Sequence, residues 1–364
     1  MQNAFGVHAG NLGPRKIPVN VKNFAAGGGS RRPGGFAAIA GPPFALAVRV
    51  REGEFHGMKI SVVGVGRVGS TLAFALSQRN FVQELVLVGR DRNIARGEAL
   101  DMGHAQSFVE VPTRITAGTV EDTAGSDILA VCASVPTPPD MADRSQLGPG
   151  NVKLMRELLP PLAKLSPAAI LVMVSNPVDV LTRYAIEFTG YPANRVLGTG
   201  TLIDSARLRH ELSLELRIHS NDLRAYILGE HGASQFAAMS CATAGGEAID
   251  DTPKRRELIA RVVRTGLEIA RLKGYTNYGI ALSATAIVEA IALDTKHTLP
   301  VSVAVDGFLG VTDVCLSLPA VLGRGGVERI LHPHLNEAES QAFRASATAV
   351  RQQINSARLA LNES

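Results

Sequence analysis

Four side chains of this sequence supply the parts for handling a small oxo acid. Asp204 and Arg207 stand three residues apart, so in a helix they share one face. His231 lies between glycines in Gly229-Glu230-His231-Gly232, directly after the apolar run 225–228, which places it at a strand end. Asn176 follows a second apolar run, 169–174, in Ser175-Asn176-Pro177-Val178-Asp179. A histidine can give a proton to a ketone, a carboxylate can hold that histidine, and a guanidinium can grip a substrate carboxylate in a two-pronged bond. Each residue alone has a plainer account. An i,i+3 ion pair usually sits on a surface, and a loop histidine usually faces water.

A hydride source is suggested by Met58–Gly69. Strand-like Ile60, Val62 and Val63 run into Gly64-x-Gly66-x-x-Gly69, and a helical pattern follows. In that order the glycines permit a tight turn, close approach of backbone to a pyrophosphate, and close helix–strand packing, with the anion at a helix N-terminus. An acid about 20 residues further on usually accepts the adenosine ribose hydroxyls. Here that position is Gly89, followed by Arg90. A missing carboxylate and an adjacent guanidinium favour a 2′-phosphate, hence NADP(H), with NAD(H) as the alternative if Asp91 curls back to the ribose.

The elements that must position these groups alternate. Strands are expected at 59–63, 85–88, 128–132, 169–174 and 195–197, and helices at 68–78, 93–108, 152–164 and 178–189. This predicts an α/β fold, a doubly wound parallel Rossmann sheet over residues 58–197 with ligands at the carboxyl ends of its strands. Beyond it, a helix at 201–216, alternating runs at 223–228 and 236–241, a helix at 254–273, a hairpin from 301–305 to 314–318 and a last helix at 337–361 predict a mixed α+β substrate domain over 198–364.

Residues 1–57 are rich in Gly, Pro and Ala without apolar periodicity, and read as a disordered extension or as translated from a start upstream of the true one at Met58. The net charge of +4 points to no acidic partner, because seven cations against two acids before Met58 contribute +5 and leave the rest near −1. Nucleic acid is therefore not an expected partner. No apolar run reaches the roughly 18 residues of a membrane span. Cys132, Cys241 and Cys315 are spaced for neither zinc nor a disulfide framework, so no metal is expected and the expected compartment is a reducing cytoplasm.

Over 58–361 the chain resembles the L-lactate/L-malate dehydrogenase family. GVGRVG, GEALDM (97–102), SNPVDVLT (175–182), GTGTLIDSARLR (198–209), GEHG (229–232) and DVCLSLPAVLGRGGVERIL (313–331) carry the resemblance. It implies that His231 is the general acid toward the ketone, Asp204 its partner, Arg207 the grip on the substrate carboxylate, and Asn176 an orienter of substrate and nicotinamide. It implies cofactor contacts at Gly64, Val65, Gly66, Arg67, Val68, Gly69, Gly89, Arg90, Ala133, Asn151 and Asn176. A mobile loop would bring Arg144 over the site to polarise the carbonyl, and Thr276 would wall the substrate pocket. The implied assembly is a homodimer or homotetramer.

The sequence departs from the family where substrate is chosen. Lactate enzymes carry Gln and malate enzymes Arg early in the loop, and here that position falls on Thr137 or Pro138. Neither neutralises a second carboxylate, while Asp140 and Asp143 would repel one. A 2-oxo monocarboxylate is the expected substrate. Malate dehydrogenase is the alternative, and an inactive nucleotide-binding module a more distant one. Ala233 replaces the family's usual Asp, for which the sequence offers no physical account.

Overall fold

The computed structural model describes residues 57–136 and 147–362. Residues 1–56, and with them nearly all of the predicted extension, lie outside the described residues, as does the loop segment holding Thr137 and Arg144.

The first half runs β1 (Met58–Val63), α1 (Arg67–Ser77), β2 (Val82–Val88), α2 (Arg92–Ala105), β3 (Arg114–Gly118), β4 (Ile128–Val131), α3 (Gly148–Leu165), β5 (Ile170–Met173), α4 (Val178–Thr189) and β6 (Val196–Gly198). Its strands lie side by side, all parallel, in the order β3-β2-β1-β4-β5-β6. The order reverses between β1 and β4, so the crevice at their carboxyl ends is where this topology places a dinucleotide. Every residue of β4 and β5 is buried, as a parallel sheet covered by helices on both faces requires.

The second half runs α5 (Leu202–Leu216), β7 (Leu223–Arg224), β8 (Ile227–Leu228), β9 (Phe236–Ala237), β10 (Thr243–Ala244), β11 (Glu247–Ala248), α6 (Pro253–Lys273), α7 (Tyr278–Ala292), β12 (Thr298–Ala304), β13 (Cys315–Gly323), β14 (Gly326–Ile330) and α8 (Glu337–Asn362). The antiparallel strands β12, β13 and β14 do not stand apart. β12 joins β6 through the single pair Ser302–Gly198, extending one sheet to nine strands.

Four regions differ from expectation for physical reasons. α7 is buried over most of its length, so its apolar residues show no one-sided stripe to read. β3 is an edge strand with no fully buried residue, which blurs the alternation that marks a strand. The expected hairpin is longer and gains β14, whose Glu328 and Arg329 are exposed while Gly326 and Val327 are buried. The run at 223–228 divides into two short strands that pair in different sheets.

Candidate functional site

The glycine turn is built by backbone that admits no side chain. Gly64 has φ +103°, and a Cβ there would run into the backbone of Cys132 and Ala133 after β4. A Cβ on Gly69 would strike the Gly64 carbonyl. Gly66 differs: nothing lies within 4 Å of its would-be Cβ, so this face is open to a ligand. The first turn of α1 carries no acid, leaving its positive end uncompensated for an anion. These features fit a dinucleotide pyrophosphate. Val65 is buried, Val68 half-buried and Arg67 exposed, its guanidinium 4.1 Å over the Tyr275 ring.

Asn151, buried in α3, joins the strand ends around the turn. Its amide donates to the Asn176 carbonyl (2.6 Å) and Ser134 Oγ (3.1 Å), while its oxygen accepts from Val135 N–H (2.7 Å). Ser175 Oγ donates to the Ala133 carbonyl. Ala133, Asn151 and Asn176 are thus brought together at the carboxyl ends of β4 and β5. At the end of β2, Gly89 is half-buried and Arg90 exposed. Asp91 caps α2, its Oδ1 accepting from Asn93 and Ile94 N–H.

The second cluster is a chain of polar contacts centred on a buried carboxylate. Asp204, only 1% exposed in the first turn of α5, accepts from Arg207 Nη1 at 2.7 Å and pairs with His231 Nδ1 at 2.6 Å. The surface-pair account of Asp204 and Arg207 is thereby excluded. Their helix is seated by Thr201 and Ser205, whose hydroxyls donate to the Ile227 carbonyl of β8. Gly229, φ +85°, turns the chain after β8, and a Cβ there would meet the Ser346 side chain of α8. Gly266 of α6 lies beneath the Arg207 guanidinium, where a Cβ would come within 3.2 Å of Nη1.

Burial works against a charge on His231, but the Asp204 carboxylate outweighs it through charge and hydrogen bond. The ring is held above its ordinary 6.5. Burial likewise disfavours charge on Asp204, and His231 and Arg207 together overcome it, holding that carboxyl below its ordinary range. With Nδ1 facing Asp204, Nε2 is the nitrogen left to exchange a proton with a ligand.

Thr276 is half-buried between α6 and α7. Its neighbours tie that segment to the glycine turn, Tyr275 under Arg67 and Asn277 donating to Thr71 Oγ1 of α1. Thr137 and Arg144 lie outside the described residues. The sequence reading passed over Asp179, a fully buried carboxylate in the first turn of α4 that accepts from His231 N–H at 2.7 Å. An acid in a helix's first turn reads as a partner of the helix dipole, which hid its second role.

Residues 58–198 match the lactate/malate dehydrogenase NAD-binding domain, and residues 201–359 match the lactate/malate dehydrogenase alpha/beta C-terminal domain. The chain belongs to the lactate/malate dehydrogenase family. It is 41% identical over 307 residues to an L-lactate dehydrogenase of Synechococcus sp. (strain JA-3-3Ab), covering 83% of this chain and all of that protein. An L-lactate dehydrogenase of Clostridium botulinum is 37% identical over 309 residues, covering 82% of this chain and 96% of that protein. Among solved structures, MGS-M5, a lactate dehydrogenase enzyme from a Medee basin deep-sea metagenome library, superposes with a TM-score of 0.79 at 34% identity. The match covers 83% of this chain and 99% of that one. Membership makes the chain a nicotinamide-dependent oxidoreductase acting on a CH–OH group. Among the described residues, no helix is long and apolar enough to cross a membrane.

Proposed function

We propose that the chain is an L-2-hydroxyacid dehydrogenase of the lactate type, interconverting a 2-oxo monocarboxylate and its L-2-hydroxy acid. The observation that carries this reading is the Arg207–Asp204–His231 chain around a buried carboxylate, with contacts of 2.7 and 2.6 Å. When bound, the nicotinamide supplies or removes the hydride. His231 Nε2 gives the proton to the oxygen of the new alcohol and takes it back in the reverse direction. Asp204 fixes the tautomer and stabilises the imidazolium. Arg207, whose Nη1 is committed to Asp204, turns its remaining N–H groups to the substrate carboxylate. Asn176 orients substrate and nicotinamide, Arg144 polarises the carbonyl on loop closure, and Thr137 and Thr276 wall the pocket.

In this reading residues 58–197 bind the dinucleotide and residues 198–364 complete the catalytic half. The contact set is the glycine turn with Val65, Arg67 and Val68, then Gly89, Arg90, Ala133, Asn151 and Asn176. NADP(H) is the preferred form. Gly89 offers no carboxylate to the ribose, and the Asp91 Oδ1 is engaged in capping α2. Malate is the weaker substrate because the loop 134–144 holds one cation, Arg144, against Asp140 and Asp143. A homodimer or homotetramer is supported by exposed apolar side chains such as Ile94, Leu100, Leu272 and Leu282 on α2, α6 and α7. The three cysteines are unpaired, as suits a reducing cytoplasm.

Steady-state rates with pyruvate, a branched 2-oxo acid and oxaloacetate, each with NADPH and NADH, test these readings. Monocarboxylates with NADPH are expected to have the highest kcat/KM. Oxaloacetate as best substrate would overturn the substrate reading, and a clear preference for NADH the cofactor reading. Gly89→Asp is expected to move preference toward NAD(H) by about tenfold, as restoring one charged hydrogen bond should.

A further inference from the structure

His231 is held on two sides. Asp204 meets the ring, and Asp179 meets the main chain, its Oδ2 accepting from His231 N–H at 2.7 Å while Oδ1 accepts from Ser302 Oγ at 2.6 Å. Ser302 belongs to β12 at the one pair that joins it to β6, opposite Gly198. That junction is closely packed: a Cβ on Gly198 would come within 2.7 Å of Val178 Cγ2 and 3.0 Å of Ser302 Cβ. Asp179 therefore links three elements far apart in sequence: the first turn of α4, the seam of the sheet and the histidine loop. We propose that Asp179 is a positioning residue for the reaction. It pins the histidine's main chain to the seam of the sheet, and its charge adds to that of Asp204 in keeping the imidazole protonated.

The chemistry of the residue supports this over a purely structural role. Asn at 179 could accept from His231 N–H and donate to Ser302 Oγ, keeping both bonds without a buried charge. The chain instead keeps a carboxylate whose burial pushes its pKa up to about 6, against the help of both hydrogen bonds. The charged and titratable groups facing it are His231 and Glu230 from the loop and Cys315 from β13. Glu230 works against its ionisation and His231 favours it. In return, Asp179 acts after Asp204 to raise the histidine. A carboxylate here also sets a negative charge beside His231, which Asn would not.

The inference rests on His231 being the acid–base group, and its test separates the two. The full chain is compared with Asp179→Asn, Asp179→Ala, Ser302→Ala and His231→Ala. The readouts are NADH and NADPH binding by fluorescence titration, the His231 ring resonance against pH in nucleotide-free protein, and kcat and KM for pyruvate against pH. Asp179→Asn is expected to leave nucleotide binding unchanged, lower the His231 pKa and move the alkaline limb of reduction to lower pH. Asp179→Ala, which also frees the main chain, is expected to lower kcat about 100-fold, the cost of a displaced reacting group. Ser302→Ala is expected to lower kcat several-fold and the His231 pKa little. Wild-type kcat and His231 titration in both Asp179 variants would overturn the proposal. If neither Asp179 variant folds, an unchanged kcat in Ser302→Ala overturns it. Turnover surviving in His231→Ala would instead remove the acid–base reading, while the resonance titration would still report on Asp179.

Discussion

The two ends of the site are built by opposite means. At the glycine turn, function is made by leaving side chains out: Gly64 and Gly69 clear room for backbone, and Gly66 faces open space. At the histidine, the site is made by burying charge: Asp204 and Asp179 are 1% and 2% exposed, and between them they hold the ring and the main chain of one histidine. The first arrangement is local, closed within six residues and the end of β4. The second draws on α4, α5, β12 and the loop after β8. A damaged turn should therefore harm nucleotide binding, whereas damage around the histidine should harm the handling of the acid and leave nucleotide binding alone.

His231→Ala is the largest expected effect. It should lower kcat by about 10²–10⁴-fold, the usual worth of a positioned general acid, with NADPH affinity unchanged by fluorescence titration. Equal losses of nucleotide affinity would break the contrast between the two ends. The wild-type pH profile sharpens it. The histidine is held above 6.5, so kcat/KM for reduction should be flat up to that raised value and fall as pH rises through it. Oxidation of the hydroxy acid, which needs the neutral ring, should rise over the same range. The stability that the pair contributes through His231 is present below 6.5 and lost as pH rises through the raised value. The share through Asp204 is present above 3.8 and lost on acidification below it.

Gly64→Ala should come next, and act on folding. Its φ of +103° and its contact with the Cys132–Ala133 backbone leave no place for a methyl, so a loss of at least about 2 kcal/mol is expected in a denaturant melt. Arg207→Ala should raise the KM for pyruvate by about 10–100-fold, the worth of a charge-assisted bond of roughly 1.5–3 kcal/mol. Its effect on kcat should be smaller. Because Asp204 then loses one of its two partners, the melt should also shift modestly downward.

The same contrast governs what was legible in the sequence. The turn was readable because its evidence lies in consecutive residues, with a period-2 strand before and a helix after. Asp204, Arg207 and His231 were readable as parts, since their types and strand-end or helix-face positions suit one chemistry. That Asp204 reaches His231 was implied only by the family resemblance and not by the residues themselves, because it depends on α5 docking against β8 through Thr201 and Ser205. Asp179 was illegible for the same reason. Its two partners lie 52 and 123 residues away. α7 escaped because a helix buried on most sides carries no amphipathic signature, and β14 because part of it faces outward.

Gly66→Ala is the smallest expected change in stability and the sharpest test of the comparison. Gly66 has an extended backbone with φ −90°, which any residue adopts, and its would-be Cβ meets nothing within 4 Å. As the residue capping α1 it has no side-chain hydrogen bond to lose. The melt should therefore stay within about 0.5 kcal/mol of wild type, as for a surface substitution. If the pyrophosphate lies against this backbone, the methyl occupies its approach, and nucleotide affinity should fall at least tenfold while the His231 titration stays unchanged. A variant with both normal stability and normal affinity would mean that Gly66 does not face the cofactor. The open space at the end of α1 would then need another explanation than the dinucleotide.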